Sequence, residues 1–174
     1  PEIHRDALWA LWELTYAEFQ QTPQKDSARR DAIRQTLRSQ LYALARETWP
    51  LARQRRLAAL AAQFNEPALS IEINKTLASE QNDPNEAAVF YERAARDALA
   101  VSDYATCAAL YLTARKVTAD PQQAKLYFLA AVRALQSGNQ PLAALEMAER
   151  ELGVLKNDPE VLLFLTELAR AAGK

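Results

Sequence analysis

From residue 54 onward the sequence repeats itself every 37 residues, and this period constrains the fold more than any other feature. Gln54, Tyr91, Phe128 and Leu165 share one position. Three residues later come Leu57, Ala94, Ala131 and Leu168, and then Ala58, Ala95, Val132 and Ala169. The same shift superposes Asn65, Ser102 and Asn139, then Pro67, Tyr104 and Pro141, then Ser70, Cys107 and Ala144. An Asp-Pro closes each unit at Asp83-Pro84 and Asp120-Pro121 and, one residue late, at Asp158-Pro159. A fixed period of this length is the signature of stacked supersecondary units, each burying its apolar face only against its neighbours. The expected architecture is therefore all-α, a right-handed α-solenoid of helical hairpins. Solenoids present surfaces more often than they perform chemistry.

Composition narrows the class. Apolar residues make up 49% of the 174, enough for a core, while 3 glycines are too few for a fold of tight hairpin turns. Strand-forming clusters of β-branched and aromatic residues are missing. A single Cys and a single His exclude a disulfide framework and a multi-ligand zinc site. A net charge of −1 exerts no global pull on nucleic acid or membrane. No apolar run reaches the roughly 18 to 20 residues that span a bilayer, so no membrane segment is expected. The opening on Pro1 and the close at Gly173-Lys174, after one helix of the last unit, suggest an excised piece whose parent continues with more repeats.

Breakers mark nine helices. The first is expected over about residues 6–20 with Asp6 as N-cap, and the second from Asp26-Ser27 to about Thr48, before Pro50. Helices three and four meet at Asn65-Glu66-Pro67, five and six at Ser102-Asp103, seven and eight at Gly138-Asn139-Gln140. In each Asp-Pro the aspartate can cap while proline takes the first helical position. Phe128, Ala131, Val132 and Leu135 form an amphipathic stripe, as do Tyr91, Ala94, Ala95 and Ala98. Ala95 with Cys107, and Val132 with Ala144, are small pairs that let two helices of a hairpin approach closely. The chain thus divides into a divergent helical hairpin at 1–49 and repeats at 50–83, 84–120 and 121–158, with a half repeat at 159–174. In the hairpin, Ala17 and Gln20 fall where large apolar residues belong. Its Trp9, Trp12, Tyr16 and Phe19 form an aromatic stripe, read as a packing face, with a ligand-stacking platform as the alternative.

Residues 51–174 resemble the tetratricopeptide repeat (TPR). The third unit carries the pattern best, in Tyr91, Ala94, Ala95, Ala98, Asp103-Tyr104, Cys107, Tyr111, Ala114 and Pro121. The chain departs from that family in its period, 37 against the usual 34. It also has Ala or Val where the family prefers Gly, and Glu151 where Ala is usual. A more specific resemblance is to the periplasmic repeats of bacterial exopolysaccharide export scaffolds of the Pel type. It is carried by Ala-rich, Arg-studded units such as Leu163-Phe164-Leu165-Thr166-Glu167-Leu168-Ala169-Arg170-Ala171-Ala172-Gly173-Lys174. This implies a scaffold in the bacterial periplasm that holds polysaccharide-modifying enzymes near an outer-membrane exit.

Catalysis fails by inventory. His4 sits near the N-terminus and Cys107 is expected to be buried, with no phosphate loop, nucleophile elbow or metal-ligand spacing. Glu146, Glu149 and Glu151 read as a solvated helix face. No catalytic residue, cofactor or metal is expected. The first binding candidate is an arginine ladder, Arg96, Arg133 and Arg170, which recurs at the repeat period. The TPR resemblance places it on the concave groove, beside Val89, Glu92 and Leu99, Leu126, Leu129 and Gln136, and Leu163 and Thr166. Guanidiniums in such a row suit an acidic-hydrophobic protein segment. Alternatively, Glu92 four residues before Arg96 and Glu167 three before Arg170 hold the arginines in local pairs.

The second candidate is a basic face. Residues 25–56 carry a net of +6 and residues 57–103 a net of −5. On helix two Arg30, Arg34 and Arg38 share a face opposite Ile33, Leu37, Leu41 and Leu44. That face is a solvated surface, a dock for an acidic partner, or a track for a charged polymer, polysaccharide or RNA. Aromatics are not interleaved with these arginines, which disfavours nucleic acid. The leading expectation is a non-catalytic scaffold for protein–protein interaction, with charged-polymer binding as the alternative and a pure spacer as a third. Homo-oligomer formation through the unpaired C-terminal helix, with its Leu162, Leu165 and Leu168, is also open.

Overall fold

Every Asp-Pro of the sequence starts a helix in the computed structural model, which describes residues 2–173. Asp83 accepts the N–H of Asn85, Asp120 those of Gln122 and Gln123, and Asp158 those of Glu160 and Val161. Each following proline occupies the first turn, where a missing N–H costs nothing. Asp26 and Asp103 cap two further helices. The described residues form nine α-helices and no strand, as an all-α chain requires. They are α1 (Glu2–Gln21), α2 (Ser27–Ala45), α3 (Leu51–Gln63), α4 (Pro67–Ser79), α5 (Pro84–Ala100), α6 (Tyr104–Val117), α7 (Pro121–Ser137), α8 (Pro141–Glu151) and α9 (Pro159–Ala171).

Two boundaries differ from expectation. Asp6 is not an N-cap, since α1 already begins at Glu2; its carboxylate instead meets Arg53 at 2.7 Å. Helix α2 stops at Ala45 rather than near Thr48, because the Trp49 indole N–H turns back onto the Leu44 carbonyl at 2.7 Å. The residue inserted before Asp158 is absorbed by a short 3-10 helix, Gly153–Asn157, which Gly153 enters at φ 54.

Three turns share one geometry. Asn65, Ser102 and Asn139 lie in the left-handed region at φ 59, 61 and 57. At each, the next N–H reaches back five residues, from Glu66 to Ala61, Asp103 to Ala98 and Gln140 to Leu135, at 2.8 to 3.0 Å. The turn residues themselves donate to Ala62, Leu99 and Gln136. These paired bonds are Schellman closures, which satisfy the carbonyls a helix end would otherwise orphan.

The chain forms two compact units, residues 1–73 and 74–174. In the first, Trp9, Trp12, Ile33, Leu37, Leu41, Leu44, Trp49, Leu57, Leu60 and Phe64 make the core, with Tyr16 and Phe19 packed against it. The aromatic stripe of α1 is thus a packing face: Trp12 stacks on Tyr16 with centroids 4.9 Å apart, and both meet Phe64 edge-on. Helices α1 and α3 run parallel, joined by Asp6–Arg53 and Glu13–Arg56. The Ser70 hydroxyl donates to the Ala58 carbonyl at 3.1 Å.

In the second unit each helix from α5 to α9 packs on the next. Ala95, Cys107, Val132 and Ala144 are all fully buried, so the small pairs lie at the helix contacts. Burial pushes the Cys107 thiol up to about 11, with Asp103 adding to it. A thiol so placed stays protonated at neutral pH and acts as a packing group. On α9 the inward side is Val161, Leu165 and Leu168, all buried, whereas Leu162 is exposed. Leu165 and Leu168 are therefore already covered within the chain. No helix is long and apolar enough to cross a membrane among the described residues.

Candidate functional site

The arginine ladder stands on the outer side of α5, α7 and α9. Capping by Asp83, Asp120 and Asp158 sets the helical phase, and the buried alanines and leucines turn the opposite side to solvent. Arg96, Arg133 and Arg170 are all exposed. Seven residues before each stands an exposed apolar side chain: Val89 at 40%, Leu126 at 55% and Leu163 at 64%. Seven residues are two turns, about 10.5 Å along the axis, so each helix shows one apolar and one cationic group on one face. Contacts link these helices in sequence. The Tyr127 hydroxyl of α7 donates to Glu92 of α5 at 3.2 Å, and the Arg133 guanidinium lies 5.4 Å from the Phe164 ring of α9.

The individual positions differ in what they offer. Arg96 donates to Glu92 at 2.5 Å, the expected i, i+4 pair, yet its side chain stays 70% exposed. Glu92 is half-buried and accepts from both Arg96 and Tyr127, so it orients the arginine rather than meeting a partner. Burial, then the Glu92 charge, pushes the Tyr127 hydroxyl up to about 12, which keeps it a donor. Arg133 is steadied by Phe164, and no ion pair engages Arg170 among the described residues, so the expected Glu167 pair does not form. Leu99 is 41% exposed and extends the apolar surface. Leu129 is the exception to the expected lining. It is only 3% exposed, because α7 buries Tyr127, Phe128 and Leu129 in succession between its two neighbours.

The basic face of α2 is largely spent inside its own unit. Arg30 donates to the Phe19 and Thr22 carbonyls at 3.1 and 2.5 Å, closing the end of α1, and its guanidinium sits 4.3 Å from the Phe19 ring. Arg38 binds Glu66, whose second oxygen accepts from the Tyr42 hydroxyl at 2.7 Å. Arg34 pairs with Asp31 at 2.8 Å, with both partners well exposed. Arg29, Arg53 and Arg56 reach Glu18, Asp6 and Glu13 of α1. A window of net positive sequence thus becomes a set of ion pairs and carbonyl bonds, most of them tying α2 and α3 to other segments of the same unit. Arg34 and Arg38 do line a cavity of about 460 Å³ with Phe19, Gln63, Phe64 and Asn65.

Two structural devices escaped the sequence reading. Glu66 is 9% exposed and anchors Arg38 and Tyr42; the i, i+4 spacing of Arg38 and Tyr42 was the available signal. Burial alone would raise the Glu66 carboxyl, but the bonds from Tyr42 and Arg38 outweigh it and hold the group below its ordinary range. Arg115 donates to the Glu151 and Leu152 carbonyls and lies 4.9 Å from Phe128, closing α8 where the 3-10 helix begins. Among the described residues no cluster of His, Cys, Asp or Glu is arranged to hold a metal ion. No family model, curated protein or solved structure matches the chain.

Proposed function

We propose that the chain is a non-catalytic TPR-like scaffold that docks a partner protein on the face shared by α5, α7 and α9. The observation that carries this is the repeated pairing of an exposed apolar residue with an exposed arginine: Val89 with Arg96, Leu126 with Arg133, Leu163 with Arg170. Three guanidiniums beside three apolar groups match a segment that alternates carboxylates with aliphatic side chains. In this reading the helices from α3 onward are hairpins of a right-handed α-solenoid with a 37-residue period, and the face lines its concave groove. The recurrence of one turn geometry at Asn65, Ser102 and Asn139 supports that period. The resemblance to exopolysaccharide export scaffolds proposes the setting: a bacterial periplasm, with a polysaccharide-modifying enzyme as the docked partner.

Affinity capture tests the reading. The baits are the wild-type chain, the Arg96/Arg133/Arg170→Ala variant, and Arg34→Glu as a control on α2, each checked for unchanged helicity. The expected result is a protein held by wild type and control and lost by the triple variant. Equal capture by the triple variant would remove the ladder from the function.

A further inference from the structure

The cavity beside α2 is built from three segments of the first unit, and it carries more donors than the fold uses. Phe19 comes from α1, Arg34 and Arg38 from α2, and Gln63, Phe64 and Asn65 from the end of α3 and the turn after it. Its volume, about 460 Å³, lies within the roughly 300–1,000 Å³ of small-molecule sites. Four residues apart, Arg34 and Arg38 stand on one side of the helix. Arg34 commits Nη1 to Asp31 and Arg38 commits Nε to Glu66; among the described residues their other nitrogens donate to no protein group. Their side chains stay 48% and 41% exposed.

The charge around the cavity is also unbalanced. Asp31 and Glu66 answer Arg34 and Arg38, but the neighbouring Arg30, 4.3 Å from the Phe19 ring, is held by carbonyls alone. One positive charge is left over, which suits a single carboxylate better than a doubly charged phosphate. The rest of the lining selects the body of the ligand. The Gln63 amide donates to the Tyr16 hydroxyl at 3.3 Å, which leaves its carbonyl oxygen as an acceptor, and the exposed Asn65 offers an amide of its own. Phe64 is only 7% exposed, so the half-buried Phe19 supplies most of the apolar wall. A ring with one apolar face and a rim of hydroxyls fits this lining, whereas a wholly apolar ring would leave both amides unmatched. We propose that the cavity binds a hexuronate, with its carboxylate on Arg34 and Arg38, its hydroxyls on Gln63 and Asn65, and a C–H face of the sugar against Phe19.

Amide chemical-shift titration of the isotope-labelled chain with glucuronate, glucose, acetate and glucose 6-phosphate tests this. Glucuronate at millimolar concentration should move the amides around Arg34, Arg38, Gln63 and Asn65, and should bind more tightly than the other three. Arg34→Gln should weaken glucuronate about tenfold or more, by loss of charge-assisted hydrogen bonds. Its only ion-pair partner, Asp31, is itself well exposed, so the fold should survive the change. Asn65→Gly keeps the left-handed turn at φ 59 and removes the side-chain amide, so it should weaken binding without loss of stability. Arg170→Ala, on α9, should bind glucuronate as wild type does. Absence of shifts at the cavity residues would overturn the proposal. So would acetate or glucose binding as tightly as glucuronate, glucose 6-phosphate binding more tightly, or an unchanged affinity in either cavity variant.

Discussion

Ser102 holds its backbone at φ 61, a conformation that crowds the Cβ of any L-residue other than glycine. Asparagine, present at the equivalent turns, tolerates it better through local hydrogen bonding. Ser102 is exposed, so a glycine there loses no packing. Ser102→Gly should therefore stabilise the chain by about 1 kcal/mol, read as a higher thermal midpoint. The polar turn was legible in the sequence, but its left-handed geometry was not, because serine carries no signal for it. Glu66 is a similar case, a charged residue in a turn that the fold places nine-tenths buried. Its carboxyl is held below the ordinary 4.5, so its contribution is present above that value and is lost as pH falls through the lower, folded-state value. Glu66→Gln should cost about 1–3 kcal/mol at neutral pH by weakening charged hydrogen bonds. In urea titrations the gap between variant and wild type should close as the solution is acidified below 4.5. A gap independent of pH would mean that Glu66 acts by packing alone.

At the scale of elements, legibility tracked the strength of the local signal. The Asp-Pro caps of α5, α7 and α9 were plain in the sequence, because aspartate and proline each have one physical role at a helix start. Asp6 misled because a capping residue type also serves within a helix when a partner such as Arg53 lies across from it. The arginines of α2 looked like a face for the same kind of reason. Helical phase puts Arg30, Arg34 and Arg38 on one side, but only tertiary contact shows Arg30 closing α1 and Arg38 holding Glu66. Leu129 was misplaced because a helix packed between two neighbours buries more than one stripe. Gly138, at the end of α7, makes a sharper claim about helix contact. A Cβ there would lie 2.7 Å from the Tyr104 ring and 3.1 Å from the Tyr104 Cβ, too near its backbone for the side chain simply to swing away. Gly138→Ala should cost about 1–3 kcal/mol. A midpoint unchanged in thermal denaturation would show that α6 and α7 yield at this point.

For the whole molecule, period and composition declared the helical class, while the partner stayed out of reach because a docking face is written in exposed residues that the fold does not constrain. What the chain offers at this scale is an outward row of apolar and cationic groups on three helices of residues 74–174, backed by a dense alanine-rich core. Binding of a carboxylate-rich segment should weaken with salt through its arginine contacts and persist in part through its apolar ones. The most direct test is amide chemical-shift mapping of the isotope-labelled chain titrated with a peptide that alternates glutamate and leucine. The account predicts the largest shifts around Val89, Arg96, Leu126, Arg133, Leu163 and Arg170, and their loss in the Arg96/Arg133/Arg170→Ala variant. Shifts gathered instead around Arg34 on α2, or shifts that survive in the triple variant, would contradict it.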